Sequence, residues 1–289
     1  MVAVATTRQS GSRGIFSGHS AKKEYDTTER PLNRKQIIFV GGLHKSGTSL
    51  THRLLRAHPD VSGFANTGAP EDEGQHLQSV YPPAKAHGGP GRFAFDEQAH
   101  LTEQSSLIST AARAALLNDW GHYWDLSKSL LIEKSPPNLI RARFLQALFP
   151  GSKFVFVVRH PAAVSVATRK WSQQSEIELF LHWLVAHDIF LDDLTHLERW
   201  AWLRYEDLVA KPDAILSELC NFIGLTAIPI TEPIATDVNI RYLSNVEPSG
   251  NLVRLFRGGS ASLMEHFGYQ LKPPYYLLAP GQGSLVTKD

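Results

Sequence analysis

The stretch from Ile37 to Leu55, IIFVGGLHKSGTSLTHRLL, constrains the fold of this chain more than any other. A short apolar run from Ile37 to Val40 leads into a glycine-containing loop, and leucines at helical spacing follow it. Such a run is typical of a buried parallel strand, and a strand, a glycine loop and a helix in this order form a phosphate-binding turn. The chain is therefore predicted to contain a P-loop α/β domain.

The lysine of this loop is displaced from the position that it has in nucleotide kinases. The kinase pattern is G-x-x-x-x-G-K-[ST], and counting from Gly42 to Gly47 places Thr48 where that lysine stands. A lysine occurs earlier in the loop, at Lys45. The first turn of the following helix still offers free N–H groups and partial positive charge to an anion. The groups that are predicted to donate hydrogen bonds to the anion belong to Ser46, Gly47, Thr48 and Ser49.

Beyond this loop, short apolar runs alternate with helical patterns. Strands are predicted at 130–132, 153–158 and 202–205, and helices at 97–118, 141–149, 177–200 and 212–223. This alternation predicts a three-layer αβα fold with a central, mostly parallel sheet. We divide the chain into a flexible leader at 1–34, one domain at 35–275 and an extended tail at 276–289. The Gly- and Pro-rich segment at 62–95 is predicted to be a functional or mobile loop, and its part from Tyr81 to Phe95 is predicted to be a lid over the acceptor or a disordered insertion.

Composition excludes several classes of function. The formal net charge of +1 gives no electrostatic reason to bind nucleic acid or an anionic membrane, and no apolar run is long enough to predict a membrane span. A single cysteine, Cys220, excludes an intrachain disulfide and favours a reducing compartment, so we expect a cytoplasmic protein. The first 23 residues contain no Asp or Glu, which is typical of a disordered basic leader or of a transit peptide to an organelle.

An arginine follows the clearest strand of the chain. The run KFVFVV ends at Val158, and Arg159 comes next. In P-loop kinases and ATPases an aspartate at the end of a second strand helps to hold Mg²⁺. A guanidinium instead gives a bidentate grip on a phosphate. The sequence therefore predicts a nucleotide-borne group that carries less charge than phosphoryl and needs no metal, such as sulfuryl.

Four segments resemble sulfotransferases that use 3′-phosphoadenosine 5′-phosphosulfate (PAPS). In the order of that family they read GGLHKSGTSL, EKSPPN, VVRHPAAVSVA and WLRYEDLVAKP. The wording RHP, and HPDV after the first helix, resemble the bacterial and tyrosylprotein branches. The resemblance implies a P-loop fold with a central parallel sheet, PAPS as the donor, adenosine 3′,5′-bisphosphate as its product, and no metal.

The resemblance also implies roles for individual residues in donor binding. Lys45 contacts the 5′-phosphosulfate and stabilises charge on the leaving phosphate, and Arg159 grips the 3′-phosphate. Tyr205 lies near the adenine or the 3′-phosphate. The segment from Asn239 to Tyr242, NIRY, resembles an N-x-[KR]-Y element of bacterial members. The predicted PAPS-binding site also includes Gly42 and the four loop residues that are predicted to donate hydrogen bonds to the anion.

This chain departs from the family pattern at one position. The serine that the family usually has eight residues after Arg159 is Ala167 here. Thr168, with Ser165 nearby, is the candidate to replace the missing hydroxyl.

Lys134, in EKSPPN, is a second candidate to stabilise charge during transfer. The motif favours this function. The alternative is an ordinary surface ion pair with Glu133.

An acceptor hydroxyl needs a general base. The segment PEDEGQH offers Glu71, Glu73 and His76, and crowded carboxylates beside a histidine can raise one another's pKa toward neutrality. Related enzymes often carry this group after the second strand, which we expect beside the P-loop strand. The alternative is a solvated acidic turn. We favour Glu73 or Glu71 over His76.

The sequence therefore predicts a sulfotransferase that acts on a small-molecule or carrier-bound acceptor, with a hydroxyl favoured over an amine. One alternative is a P-loop kinase, which Thr48 and Arg159 disfavour. Another is a non-catalytic nucleotide-binding relative, which Ala167 favours slightly and the intact KSGTS and EKSP runs disfavour. The sequence indicates neither the identity of the acceptor nor the oligomeric state.

Overall fold

The centre of the molecule is one six-stranded sheet. The computed structural model describes residues 35–243 and 260–289, without the side chains of Ile240 and Ser260, so the predicted leader at 1–34 lies outside the described residues. The strands are β1 (Gln36–Gly42), β2 (Val61–Gly63), β3 (Leu130–Lys134), β4 (Lys153–Val158), β5 (Trp200–Arg204) and β6 (Val286–Lys288). Their order is β2-β3-β1-β4-β5-β6. The first five strands are parallel and β6 is antiparallel to β5, so the predicted mostly parallel sheet is confirmed.

Helices cover both faces of the sheet. Those of the described residues are α1 (Thr48–Arg56), α2 (Thr110–Gly121), α3 (Ala142–Leu148), α4 (Pro161–Thr168), α5 (Glu176–His196), α6 (Tyr205–Ala210), α7 (Pro212–Ile223), α8 (Val238–Leu243) and α9 (Ser260–His266). No helix in the described part of the chain combines the length and the apolar character that crossing a membrane would require.

Alternate strand residues enter two separate cores, which explains the continuous apolar runs. Phe39 and Phe156 pack with residues of α2, α3 and α5 on one face. Val40 and Val157 pack with residues of α1, α6 and α7 on the other. Both faces of a parallel sheet are buried in this way, and successive side chains point to opposite faces. The predicted three-layer αβα architecture is therefore confirmed.

Two predicted helices have different boundaries in the structure. The helix predicted at 97–118 is a single 3-10 turn, Glu97–Ala99, followed by α2, which starts later because Ser109 caps it by accepting a hydrogen bond from the Ala112 N–H. The helix predicted at 177–200 ends at His196, since Trp200 is the first residue of β5 and pairs with Phe154 of β4. Strand β5 thus begins before the predicted 202–205.

The Gly- and Pro-rich segment is not a disordered insertion. It contains single 3-10 turns at Pro70–Asp72, Gly74–His76, Ala84–His87 and Phe93–Phe95. Tyr81 and Phe93 are buried in the core that contains Phe39. The segment is therefore a packed part of the domain, and it carries the predicted general bases.

The tail belongs to the sheet. Strand β6 pairs with β5 along Trp200 to Trp202. In the segment before β6, the N–H groups of Gly281 and Gly283 donate hydrogen bonds to the Asp207 carboxylate.

Candidate active site

The phosphate loop connects the end of β1 to the start of α1 in a conformation that requires glycine at one position. Gly47, directly before α1, has φ 110°, and a Cβ at this position would lie 2.5 Å from the Tyr205 ring. A left-handed backbone and a close approach of this kind favour glycine. Lys45 also has a positive φ, 68°. The loop is thus shaped by local backbone geometry that the strand–loop–helix pattern predicted only in outline.

An open cavity of about 210 Å³ lies over this loop. It is lined by His44, Lys45, Gly47, Thr48, Ser49, Glu71, Glu73, Pro136, Arg159, Trp171 and Tyr205. The loop, the end of β4, the start of α6 and the segment after β2 therefore meet around one space, as expected for the carboxyl edge of a parallel sheet. Most of the residues predicted for the site are brought together here.

Arg159 lines the cavity and has one donor without a partner among the described residues. Its Nε donates to Asn239 Oδ1 at 2.7 Å and its Nη1 to the Lys45 carbonyl at 2.6 Å. Its Nη2 is buried and has no hydrogen-bond partner among the described residues. Its Cζ lies 4.2 Å from the ring centroid of Tyr205 and 5.4 Å from that of Tyr242. Since buried polar groups are almost always hydrogen-bonded, the free Nη2 indicates a place for an anionic acceptor.

Lys45 contacts an aromatic ring that the sequence analysis did not single out. Its Nζ lies 3.1 Å from the ring centroid of Trp171, in a cation–π contact. Trp171 follows α4 and is 52% exposed. Burial lowers the pKa of Lys45 below its ordinary value, and the nearby carboxylate of Glu71 opposes that shift. An exposed tryptophan within the polar run RKWSQQ was the available sequence signal.

The hydroxyls near the loop have different surroundings. Ser46 Oγ is buried without a partner among the residues that the structure describes. Ser49 Oγ donates to Glu71 Oε2 at 3.2 Å. Thr168 is buried, and its Oγ1 donates to the His44 carbonyl at 3.5 Å, so it contacts the backbone of the phosphate loop instead of lining the cavity.

His44, next to Lys45, also lines the cavity and was not predicted. Burial lowers its pKa to about 3, and the charge of Lys134 acts in the same direction. Its imidazole is therefore neutral at physiological pH. Its Nδ1 is buried and has no partner in the described part of the chain.

Lys134 is not in a surface ion pair with Glu133, and that reading of EKSPPN is wrong. Lys134 is 1% exposed, and its Nζ donates to the Glu71 carbonyl at 2.7 Å and to Glu73 Oε1 at 3.4 Å. Glu133 accepts hydrogen bonds from Ser135 Oγ and Asn138 Nδ2, each at 2.5 Å. The two side chains diverge because neighbouring residues of a strand point to opposite faces.

Glu73 is buried at the cavity and surrounded by donors. It accepts a hydrogen bond from Gln75 Nε2 at 2.5 Å, and His76 Nε2 lies 3.7 Å from its Oε2. Burial raises the pKa of Glu73, while Lys134 opposes the shift. Glu71 lines the same cavity but is exposed, and His76 does not line it. The structure therefore brings Glu71 and Glu73, but not His76, to the cavity.

The segment that carries Glu73 follows β2, and the expectation that β2 lies beside the P-loop strand is wrong. β3 separates the two strands, and β2 forms an edge of the sheet. The contacts of Lys134, the last residue of β3, bring the Glu71 to Glu73 turn to the phosphate loop. Among the described His, Cys, Asp and Glu side chains, no group of three or more could hold a metal ion.

Comparisons with known proteins give one family. A model described as the sulfotransferase family matches residues 37–229. Protein-tyrosine sulfotransferase 2 of Gallus gallus is 25% identical over 253 residues, which cover 78% of this chain and 66% of that protein. Protein-tyrosine sulfotransferase A of Caenorhabditis elegans is 26% identical, with 75% of this chain and 57% of that protein covered. This chain thus spans less than two thirds of the length of these curated relatives.

Among solved structures, a sulfotransferase from Mycobacterium tuberculosis superposes with a TM-score of 0.47 at 16% identity, covering 83% of this chain and 79% of that one. A sulfotransferase from Alicyclobacillus acidocaldarius superposes with a TM-score of 0.44 at 15% identity, covering 79% and 98%.

Proposed function

The chain belongs to the sulfotransferase family, and from this premise we propose that it transfers a sulfuryl group from PAPS to a hydroxyl of a small-molecule or carrier-bound acceptor. An amine is the less favoured acceptor. The names of the relatives suggest a phenolic hydroxyl as the first one to assay.

The observation that carries this proposal is the buried Nη2 of Arg159, which has no partner among the described residues, in a residue that lines one cavity with Lys45 and the start of α1. In a nucleotide with phosphates at both its 3′ and 5′ positions, one phosphate can bind to Arg159 and the other to Lys45 and the start of α1. A guanidinium binds phosphate through charge-assisted hydrogen bonds, which are stronger than neutral ones. Thr48 and Arg159 stand where a kinase has a lysine and a metal-binding aspartate, so we propose that no divalent ion is needed.

The groups around the cavity divide the work of transfer between them. PAPS supplies the sulfuryl group when it is bound. Glu73 takes the proton of the acceptor hydroxyl as the acceptor oxygen bonds to sulfur and the bond from sulfur to the phosphate oxygen breaks. Lys45 stabilises the negative charge left on that phosphate, and Lys134, held by the Glu71 carbonyl and Glu73, adds positive charge nearby.

The donor is tested by thermal unfolding. Adenosine 3′,5′-bisphosphate without magnesium is expected to stabilise the protein, by about 2.7 kcal/mol at 100 times its Kd. ATP with Mg²⁺ is expected to do little. The opposite pattern would replace this proposal with the kinase.

Transfer is tested with labelled PAPS and a panel of phenols, alcohols, amines and peptide acceptors. Lys45→Ala is expected to abolish transfer, whereas Lys211→Ala, at an exposed lysine outside the cavity, serves as the matched control. Glu73→Gln is expected to lower kcat by about 100-fold or more with little change in donor affinity, because it removes only the base. Loss of turnover in Glu71→Gln but not in Glu73→Gln would move the base to Glu71.

A further inference from the structure

Two buried residues of other elements, Asn239 and Glu206, hold Arg159 in place through a chain of hydrogen bonds. Asn239 of α8 accepts from Arg159 Nε at 2.7 Å and donates through its Nδ2 to Glu206 Oε1 at 2.5 Å. Glu206 lies in the first turn of α6. Asn239 is 6% exposed and Glu206 is 1% exposed, so this chain of hydrogen bonds runs through the interior.

Glu206 determines which way the Asn239 amide faces. A guanidinium only donates hydrogen bonds, so the amide oxygen has to face Arg159, and an ionised carboxylate only accepts, so the amide nitrogen has to face Glu206. If the amide were reversed, its NH₂ group would face Arg159 Nε and its oxygen would face the carboxylate. The carboxylate therefore fixes the orientation in which Asn239 is an acceptor for Arg159.

Glu206 is itself fixed on its other sides. Its Oε2 accepts from the Tyr269 hydroxyl at 2.7 Å, and its Oε1 also accepts from the His160 backbone N–H at 3.0 Å. Tyr269 is fully buried. Because both of its oxygens accept hydrogen bonds, the Glu206 carboxylate is held in one position. A carboxylate held in this way can fix the orientation of the Asn239 amide.

The hydrogen bond to Asn239 uses the Nε of Arg159, so the Nη1 and Nη2 groups are available for other contacts. Nη1 reaches the Lys45 carbonyl, and Nη2 remains unpaired among the described residues. One guanidinium thus joins the interior pair, the backbone of the lysine that faces the 5′ side of the donor, and the cavity.

We propose that Glu206 and Asn239 are positioning residues for donor specificity: they aim Arg159 Nη2 at the 3′-phosphate and allow Nη1 to hold the backbone of Lys45. This inference rests on the proposed function. It assigns the discrimination between a 3′,5′-bisphosphate and a plain 5′-phosphate to residues that do not line the phosphate cavity. Without Asn239, Nε loses its acceptor and the guanidinium is free to turn away.

The test compares two ligands by titration calorimetry on the full chain: adenosine 3′,5′-bisphosphate and adenosine 5′-monophosphate. Arg159→Ala is expected to weaken the bisphosphate by about 100-fold, and Asn239→Ala by about 10-fold, as the loss of charged hydrogen bonds implies. Both variants should weaken the monophosphate much less, by about threefold at most, because it lacks the 3′-phosphate and loses only the support that Arg159 gives to the Lys45 backbone. Asn221→Ala, an exposed asparagine of α7, is the matched control and should change neither value.

A double mutant separates positioning from a general loss of structure. If Asn239 acts through Arg159, then adding Asn239→Ala to Arg159→Ala should weaken the bisphosphate by less than about twofold more, since residues in one network are not additive. A merely structural role would weaken both ligands alike or would add its full effect.

Glu206→Gln serves as the second variant, and it decides the question if Asn239→Ala fails to fold. A glutamine keeps its oxygen on the His160 N–H and offers Asn239 a neutral acceptor in place of a charged one, so the bisphosphate should again be weakened selectively, by about three- to tenfold. Each variant is accepted only if it shows a cooperative unfolding transition.

Different results would contradict the proposed function and the positioning role of Asn239 and Glu206. If the wild type does not prefer the bisphosphate, or if Arg159→Ala leaves that preference intact, the proposed function is wrong. If the wild type shows the preference and Arg159→Ala removes it, while Asn239→Ala and Glu206→Gln retain it, only the positioning inference is overturned.

Discussion

The ionisation of Glu73 sets the pH range in which the proposed reaction runs. Burial raises the pKa of this carboxyl above its ordinary value of 4.5, and a general base acts only when ionised. As pH falls through the raised pKa, Glu73 takes up a proton and kcat should fall with it. When kcat is plotted against pH, it is expected to fall on the acid side, the acid limb of the profile, at a pH above 4.5, with the slope that a single protonation gives.

Removing the neighbouring cation should move that limb in a known direction. Lys134 opposes the upward shift of the Glu73 pKa. In Lys134→Met the pKa should therefore rise further, and the acid limb should move to higher pH. Lys211→Met, which removes an exposed lysine outside the cavity, should leave the limb in place. An unmoved limb in Lys134→Met would contradict the role given to Glu73.

Single residues were predictable from the sequence where a motif names them. Lys45, Arg159 and Tyr205 were identified in this way, and all three line one cavity. Trp171 and His44 were missed, because their places depend on a loop conformation and a packing contact that have no local pattern.

The alternative that paired Lys134 with Glu133 rested on adjacency in sequence, and the structure shows that this alternative is wrong. In a strand, adjacency places two side chains on opposite faces, so Glu133 and Lys134 have separate partners.

At the scale of elements, the 3-10 turn Gly74–His76 holds Glu73, the proposed base, against the end of β3. Gln75 N–H donates to Ser135 Oγ, and Gln75 Oε1 accepts from the Ala84 N–H. A Cβ at Gly74 would collide with the Glu133 carboxylate, so this turn requires glycine for close approach. The turn, Ser135 and Glu133 therefore form one support for Glu73.

Gly74→Ala is expected to displace that support without touching the donor site. We expect kcat to fall by about 10- to 100-fold, because a small misplacement of a catalytic group has a large cost. The Kd of adenosine 3′,5′-bisphosphate should be unchanged. Gly68→Ala is the control in the same segment: it also introduces a methyl, but at a site with nothing within 4 Å and with a positive φ, so it should lower stability and leave kcat intact. Equal losses of kcat in both variants would contradict the displacement.

Elements were predictable where hydrophobic periodicity and end signals agreed. Helix α7 has a proline at its start and Gly224, with φ 86°, at its end, and its bounds were predicted as observed. The 97–118 helix failed since periodicity alone does not reveal that the capping Ser109 starts the helix later. The start of β5 was missed because pairing with β4, a contact distant in sequence, determines it.

For the whole molecule, the tail contributes to stability while remaining outside the donor site. Lys288 Nζ donates to the Leu197 carbonyl at 2.7 Å and the Leu285 N–H to Glu218 Oε2 at 2.7 Å, in addition to the pairing of β6 with β5. Deletion of 284–289 should lower the free energy of unfolding by about 2 to 4 kcal/mol, at about 1 kcal/mol for each net hydrogen bond.

The shift in unfolding temperature caused by adenosine 3′,5′-bisphosphate should persist in this truncated chain, because no residue of 284–289 lines the cavity. Thermal unfolding with and without the bisphosphate measures both effects. Unchanged stability would show that the strand pairing contributes little, and loss of the ligand-induced shift would show that the tail affects donor binding.

The two outer strands have a consequence for encounters between molecules. β2 and β6 are each three residues long, so each border of the sheet offers a neighbouring chain only a few free N–H and C=O groups. Long exposed borders invite the addition of a foreign strand and aggregation. Strands this short give a foreign strand few groups to pair with at either border.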